Sequence, residues 1–342
     1  MKEMTARSHR GTEVLMIYAI LIYLPFIFGC DGSLQGNYVH FDAGSVNKLV
    51  PQANKIIEES LNDNDPQIRT TAIEVVATTK QVQFMPKVER LLQDGYVPVR
   101  FIAAIAVGDT GYSFGEGSVR YLLRDKDENV RIAADYAISR LSPNSRFELV
   151  REAIMSKDQK VRANAAFLLG KSGDTNSLKL LWYALRDESS DYKVRFNAAE
   201  AIARLGDERI EEKLLAMLIS AYADDRMMGI KAMGALGTHK AKDFLITKLD
   251  DDVLEIRLAA AEQLGLLGDT SGEPEVLEVF TVNFAEGFNS EDIERIKVMT
   301  ALAIGQIGTP SLTRYLPQFL KDKSKYVRIA GAKAVFQCAK KG

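Results

Sequence analysis

Small and aliphatic residues recur along this chain with a long period and, inside each period, with a short one. A basic residue, usually preceded by an aliphatic one, anchors every recurrence: Ile68-Arg69, Val99-Arg100, Val130-Arg131, Val161-Arg162, Val194-Arg195, Asp225-Arg226, Ile256-Arg257, Ile296-Lys297 and Val327-Arg328. The spacings between anchors are 31, 31, 31, 33, 31, 31, 40 and 31 residues. Three residues after each anchor the chain has Ala72, Ala103, Ala134, Ala165, Ala198, Gly229, Ala260, Thr300 and Gly331, all small. Seven residues after it stand Val76, Val107, Ile138, Leu169, Ile202, Met233, Leu264, Ile304 and Val335. The offsets −1, +3 and +7 share one face of a helix with about 3.6 residues per turn. A second apolar stretch precedes each anchor, as in 178–185, and predicts an outer helix. A helical pair this small cannot bury its own apolar face, so about nine of them must stack into one core.

No Thr-Pro-Leu-His block and no spaced Trp, Leu-Gly and Tyr set recurs, which sets aside ankyrin and tetratricopeptide units. What does recur is Asp125 with Val130-Arg131 and Ala133-Ala134, or Val194-Arg195 with Ala198-Ala199 and Leu205-Gly206-Asp207. This pattern resembles the short HEAT-like repeats of the phycobilisome-lyase type. The resemblance implies an all-α fold, an α-solenoid (superhelix) of about nine two-helix HEAT-like repeats over residues 46–342, with the second helices lining a concave face. At ~10 Å per packed helix pair such an open arc would be on the order of 90 Å long. Polar end units, with Thr70-Thr71 and Thr78-Thr79-Lys80 at one end and Lys340-Lys341 at the other, are expected to cap it and leave a monomer, or a dimer through some other surface.

An acidic residue lies six positions before several anchors, as Asp63, Asp94, Asp125 and Asp322 do. A carboxylate in one turn and a guanidinium at a helix start can pair from unit to unit. The expected structural ladder comprises Asp63, Arg69, Asp94, Arg100, Asp125, Arg131, Arg162, Arg195, Arg257, Asp322 and Arg328. A residue type that recurs in every unit is explained by the unit and not by acid–base catalysis.

The first 30 residues have a different character. Lys2, Arg7 and Arg10 precede an apolar run from Val14 to Phe28, about 15 residues, too short to span a bilayer. With Gly29 directly before Cys30, the segment resembles a bacterial lipoprotein signal with its lipobox. That resemblance implies removal of a signal at 1–29, a lipid on Cys30, a flexible tether at 30–45 and an exported protein anchored to a bacterial membrane only through its lipid. Cys338, the other cysteine, sits at an apolar helix position and reads as packing.

Composition narrows the chemistry. Lys and Arg number 44 against 46 Asp and Glu, a formal charge of −2, so no basic excess favours nucleic acid. Three histidines, none spaced to share a metal, supply no metal site, and no cofactor motif stands out. Gly170-Lys171-Ser172 imitates the end of a phosphate loop but closes a helix and lacks the earlier glycine. Deoxyhypusine hydroxylases share the repeat architecture but hold iron with His-Glu pairs, and no histidine here is followed by Glu.

Function is therefore sought where the repeat rule breaks. Five residues after the anchor the column reads Glu74, Ile105, Tyr136, Phe167, Glu200, Lys231, Glu262, Leu302 and Lys333. If this column faces the concave side, its apolar block, Ile105, Tyr136 and Phe167 with Ile102 beside them, makes a patch suited to a partner helix or extended peptide; the alternative is that the block packs under an outer helix or the tether. The 40-residue interval adds Phe280, Phe284 and Phe288, of which Phe288 suits binding best and Phe280 and Phe284 suit an extension of the outer helix into the core. The sequence thus points to a non-catalytic scaffold or adaptor for another protein in the cell envelope. Alternatives are an enzyme of the HEAT-like group with its site in the concave groove, and a glycan binder, for which lone Trp182 makes a thin case.

Overall fold

The computed structural model describes residues 46–142, 147–281 and 288–341. Cys30, the signal segment, the tether and Phe284 lie outside the described residues. Among the described residues there is no strand. Nine helical pairs follow in order. They are α1 (Val50–Leu61) with α2 (Pro66–Thr78), α3 (Met85–Arg90) with α4 (Val97–Thr110), and α5 (Glu116–Tyr121) with α6 (Glu128–Leu141). Next come α7 (Glu148–Ala153) with α8 (Gln159–Ser172), α9 (Leu178–Arg186) with α10 (Tyr192–Arg204), and α11 (Glu211–Leu218) with α12 (Ala223–Leu236). The last three are α13 (His239–Thr247) with α14 (Leu254–Leu266), α15 (Glu273–Thr281) with α16 (Ser290–Ile307), and the broken outer turns α17 (Pro310–Thr313) and α18 (Leu316–Phe319) with α19 (Lys325–Ala339). The second helix of each pair is the inner one.

Local chemistry sets the ends of the inner helices. Asp65, Asp127, Asp158 and Asp191 cap α2, α6, α8 and α10 by accepting backbone N–H groups with their side chains. Several inner helices stop at a left-handed glycine, such as Gly237 at φ +64° after α12, a conformation an L side chain adopts only with strain. The small column holds neighbouring helices close. Ala72, Ala103, Ala134, Ala165, Ala198 and Ala260 are fully buried, as are Val76, Val107 and Leu169 of the aliphatic column.

The open arc expected from the repeat count is replaced by a closed ring. Helix α19 closes the ring by packing chiefly against the outer helix α1 and, more lightly than other inner pairs, against the inner helix α2. Lys325 Nζ reaches Asp63 Oδ2 at 2.7 Å, Tyr326 Oη donates to Gln67 Oε1 at 3.0 Å, Gln52 Nε2 donates to the Leu320 carbonyl at 3.4 Å, and Lys340 Nζ donates to the Thr79 carbonyl. The polar ends are therefore not caps facing water: Lys340 crosses the seam to the Thr79 carbonyl and Thr79 is buried, while the Thr70, Thr71, Thr78 and Thr79 hydroxyls bond carbonyls of their own helix and Lys341 bonds the Gln306 carbonyl. Small residues between inner helices and bulkier ones under the outer helices make each unit a wedge. Nine wedges at ~10 Å per inner helix close at a radius of about 15 Å.

In the long interval the described residues extend α16 by about a turn at its start, and Arg295, just after that extension, pairs with Glu255 Oε1 and with Asp292 Oδ1 on it, both at 2.7 Å. Phe280 stacks flat on Tyr315, ring centroids 3.8 Å apart, and meets Phe319 edge-on.

Candidate functional site

The column five residues after each anchor faces the axis of the ring. Burial pushes the Lys231 ammonium down, opposed by the carboxylates of Glu262, Glu200 and Glu74. Glu74 belongs to unit one and Lys231 to unit six, across the ring, so the two charges act on one another across a narrow lumen. Glu262 is raised by burial, with Lys333 and Lys231 opposing, and its Oε1 has no hydrogen-bond partner among the described residues. Lys171 is lowered by burial although its Nζ lies 2.9 Å from Asp109 Oδ2. Tyr136 Oη donates to the other oxygen of Asp109 at 2.7 Å, and burial, then the Asp109 charge, hold the phenol well above its ordinary value. Arg204 Nη2 bonds Glu200 Oε1 at 2.5 Å. The lumen thus holds carboxylates and cations that offset one another, which burial of charge requires.

This placement corrects the expected docking patch. Ile102, Ile105 and Tyr136 are 5%, 1% and 1% exposed, and Phe167 is half-buried with Lys171 Nζ 5.6 Å from its ring centre. An inward-facing column on a closed ring has no room for a partner helix. The lumen also uses Asp109, Lys171 and Arg204, nine residues after their anchors, which the apolar pattern does not reveal.

The turn ladder has definite geometry. Arg69 Nε and Nη2 each bond the Asp94 carboxylate at 2.9 Å, and Arg100 forks onto Asp125 at 2.8 and 3.0 Å. Arg162 reaches Asp187 at 2.7 Å, Arg226 reaches Asp251 at 2.9 Å and Lys297 reaches Asp322 at 2.8 Å. Arg257, next to the long interval, turns instead to Glu275 at 2.9 Å and Glu278 at 3.4 Å. Asp63 meets Lys325 across the seam, while Arg328 bonds the carbonyls of Asp322 and Lys323. Arg131 and Arg195 hold main-chain carbonyls, and among the described residues no carboxylate lies within ion-pair distance of either, a departure from the expected ladder.

Exposed large apolar side chains are spread over both rims and the outer helices, more of them on one rim than on the other. Tyr96, Met155, Tyr192, Ile219, Tyr222 and Phe288 lie in or beside the turns that lead from outer to inner helices, Phe114, at 85% the most exposed, and Val82 lie in the turns of the opposite rim, and Tyr121, Leu149, Tyr183 and Ile246 lie on outer helices. Ile219 and Tyr222 are 74% and 73% exposed, Phe288 40%. Trp182 is occupied within the fold: its Nε1 donates to Asp207 Oδ2 at 2.9 Å and Arg186 lies 4.6 Å over its ring. Among the described residues no group of His, Cys, Asp and Glu is arranged to hold a metal, and no helix is long and apolar enough to cross a membrane.

With a ring of two-helix units established, comparison with known proteins gives the following. The family description for HEAT repeats matches residues 147–226. A HEAT repeat-containing taxis protein of Halobacterium salinarum is 29% identical over 170 residues, a stretch that covers 43% of this chain and 38% of the relative's length. Among solved structures, the complex of CpcE and CpcF of phycocyanin lyase from Nostoc sp. PCC7120 aligns at a TM-score of 0.43 and 17% identity, covering 80% of this chain and 99% of that one. Human deoxyhypusine hydroxylase aligns at 0.34 and 15%, covering 86% and 99%.

Proposed function

We propose that the protein is a non-catalytic binding ring, a monomeric adaptor that docks another protein of the bacterial cell envelope on its aromatic rim and is tethered there by a lipid on Cys30. The uneven distribution between the rims carries the docking part: among the described residues, six exposed large apolar side chains in the outer-to-inner turns against Val82 and Phe114 on the other rim. Tyrosine and large aliphatic side chains standing in water supply contact area at low entropic cost, the composition of a docking surface. The near-neutral overall charge fits a protein partner better than nucleic acid.

The test is affinity capture from crosslinked membranes, comparing the native chain with an Ile219→Glu, Tyr222→Glu variant of unchanged helicity. Loss of one dominant partner supports the reading, and an identical capture profile ends it. Cys30→Ser should move the protein from the membrane to the soluble fraction and remove the lipid mass from its N-terminal peptide; retention on membranes with Cys30 replaced would sink the tether.

A catalytic reading draws on the lumen, where Glu262, Lys171 and Lys231 have shifted ionisation, a pattern also found at active sites. Each of these groups faces an opposite charge from another unit, which supports a structural network in preference to a catalytic set.

A further inference from the structure

The ladder contains its own template for a ligand. In units one and two the anchor guanidinium is fixed the same way. Nη1 donates to two turn carbonyls, Asp63 and Asn64 for Arg69, Asp94 and Gly95 for Arg100, while Nε and Nη2 receive the next unit's aspartate side-on. In unit three Arg131 is fixed identically, with Nη1 donating to the carbonyls of Asp125 at 2.9 Å and Lys126 at 3.2 Å. The position six before the next anchor, where Asp94 and Asp125 stand for the first two units, is Ser156, which lines the same hollow as Arg131. That serine keeps half of the aspartate's work, since its Oγ accepts from Asp158 N at 3.2 Å as Asp125 Oδ1 accepts from Asp127 N at 2.9 Å. What is missing is the carboxylate that would meet Arg131.

A hollow opens at this place. Arg131, half-buried, forms its base with Ser156, exposed Met155 and Leu149 make its apolar side, and Glu128 and Glu152 stand at its edge. The other incomplete positions differ. Arg195 is exposed and turned so that Nη2 takes the carbonyls, and Arg328 faces a turn whose Asp63 is already held by Lys325.

We propose that this hollow is a docking slot for a carboxylate side chain of the protein partner, which completes the rung with Arg131 in the place that Asp94 and Asp125 fill elsewhere. The proposal rests on the docking reading above and specifies its chemistry. Bidentate pairing to a planar fork selects a carboxylate. An aliphatic neighbour covers Met155 and Leu149, and a basic neighbour answers Glu128 and Glu152. A free anion lacks both, and meets those two carboxylates uncompensated.

Ser156→Asp supplies the carboxylate from within. It should raise Tm by about 2 °C and shift the Arg131 Nε–H resonance to where those of Arg69 and Arg100 lie. The probe for the open slot is the peptide acetyl-Leu-Asp-Lys-amide, titrated into the full-length chain and followed at the same resonance. Saturable binding is expected in the native chain and in Ser156→Ala, tenfold weaker in Arg131→Gln, and none in Ser156→Asp. The proposal is overturned if Ser156→Asp changes neither Tm nor the Arg131 signal, if the Asn version of the peptide binds as well, or if inorganic phosphate produces the same saturation. Failure here and failure of the docking reading are separable. A capture profile lost with Ile219→Glu, Tyr222→Glu but intact with Ser156→Asp retires the slot and leaves the rim as the docking surface.

Discussion

Asp135 isolates what enclosure does to one charge. It is 8% exposed, it accepts from Val150 N at 3.2 Å, and burial, only partly offset by the main-chain N–H groups, raises its carboxyl from 3.8 to about 6. Between those values the folded chain holds a proton that the unfolded chain has released, so stability falls as pH rises through this window and the full cost is present above about 6. Asp135→Asn keeps an oxygen for Val150 N and removes the charge. It should stabilise by roughly 1–3 kcal/mol at pH 7.5 and have no effect below pH 4, read from thermal unfolding at both pH values. Equal shifts at the two pH values would refute this account. The contrast with Asp109 is instructive, because there the buried carboxylate has Tyr136 and Lys171 as partners and its removal would take from Lys171 its ion-pair partner.

Between elements, the decisive distance is that from one inner helix to the next. A Cβ on Gly170 would lie 2.6 Å from Ala201 Cβ and 2.7 Å from its Cα, and one on Gly108 would lie 2.7 Å from Ala137 Cα. Gly170→Ala improves helix propensity by about 1 kcal/mol, yet forcing α8 from α10 costs more, so a net loss of about 1–3 kcal/mol is expected in denaturant unfolding. Gly117, with nothing within 4 Å of its Cβ position, is the control and should gain up to about 1 kcal/mol as alanine. The same positions show how far the sequence could be read. The small and aliphatic columns fixed the helical pairs and their core face because a 3.6-residue period acts within one helix. The direction of the +5 column was not readable in that way. Whether Tyr136 faces a partner or the opposite wall depends on how far nine units turn, and no single unit carries that information. Ser156 illustrates the converse, since a lost aspartate is visible in the alignment but an open fork is visible only once Arg131 has been placed.

At the scale of the molecule, each unit must turn by about 40° for nine to meet, given the packing distance of about 10 Å between inner helices. Small-angle scattering of the repeat region should therefore give a radius of gyration of about 20 Å, where an open arc would give about 30 Å. Lys325→Glu sets like charges across the seam, which is partly exposed, and should lower Tm slightly without changing that radius; expansion toward the open value would mean that the seam ion pair holds the ring shut. An open solenoid can gain or lose a unit and keep every remaining interface as it was. A ring cannot, because adding a tenth unit would change the angle at all the others. The packing that joins Lys325 to Asp63 thus turns copy number into a structural constant, and duplication of a single repeat, harmless in a linear array, would here strain every helix contact around the circle.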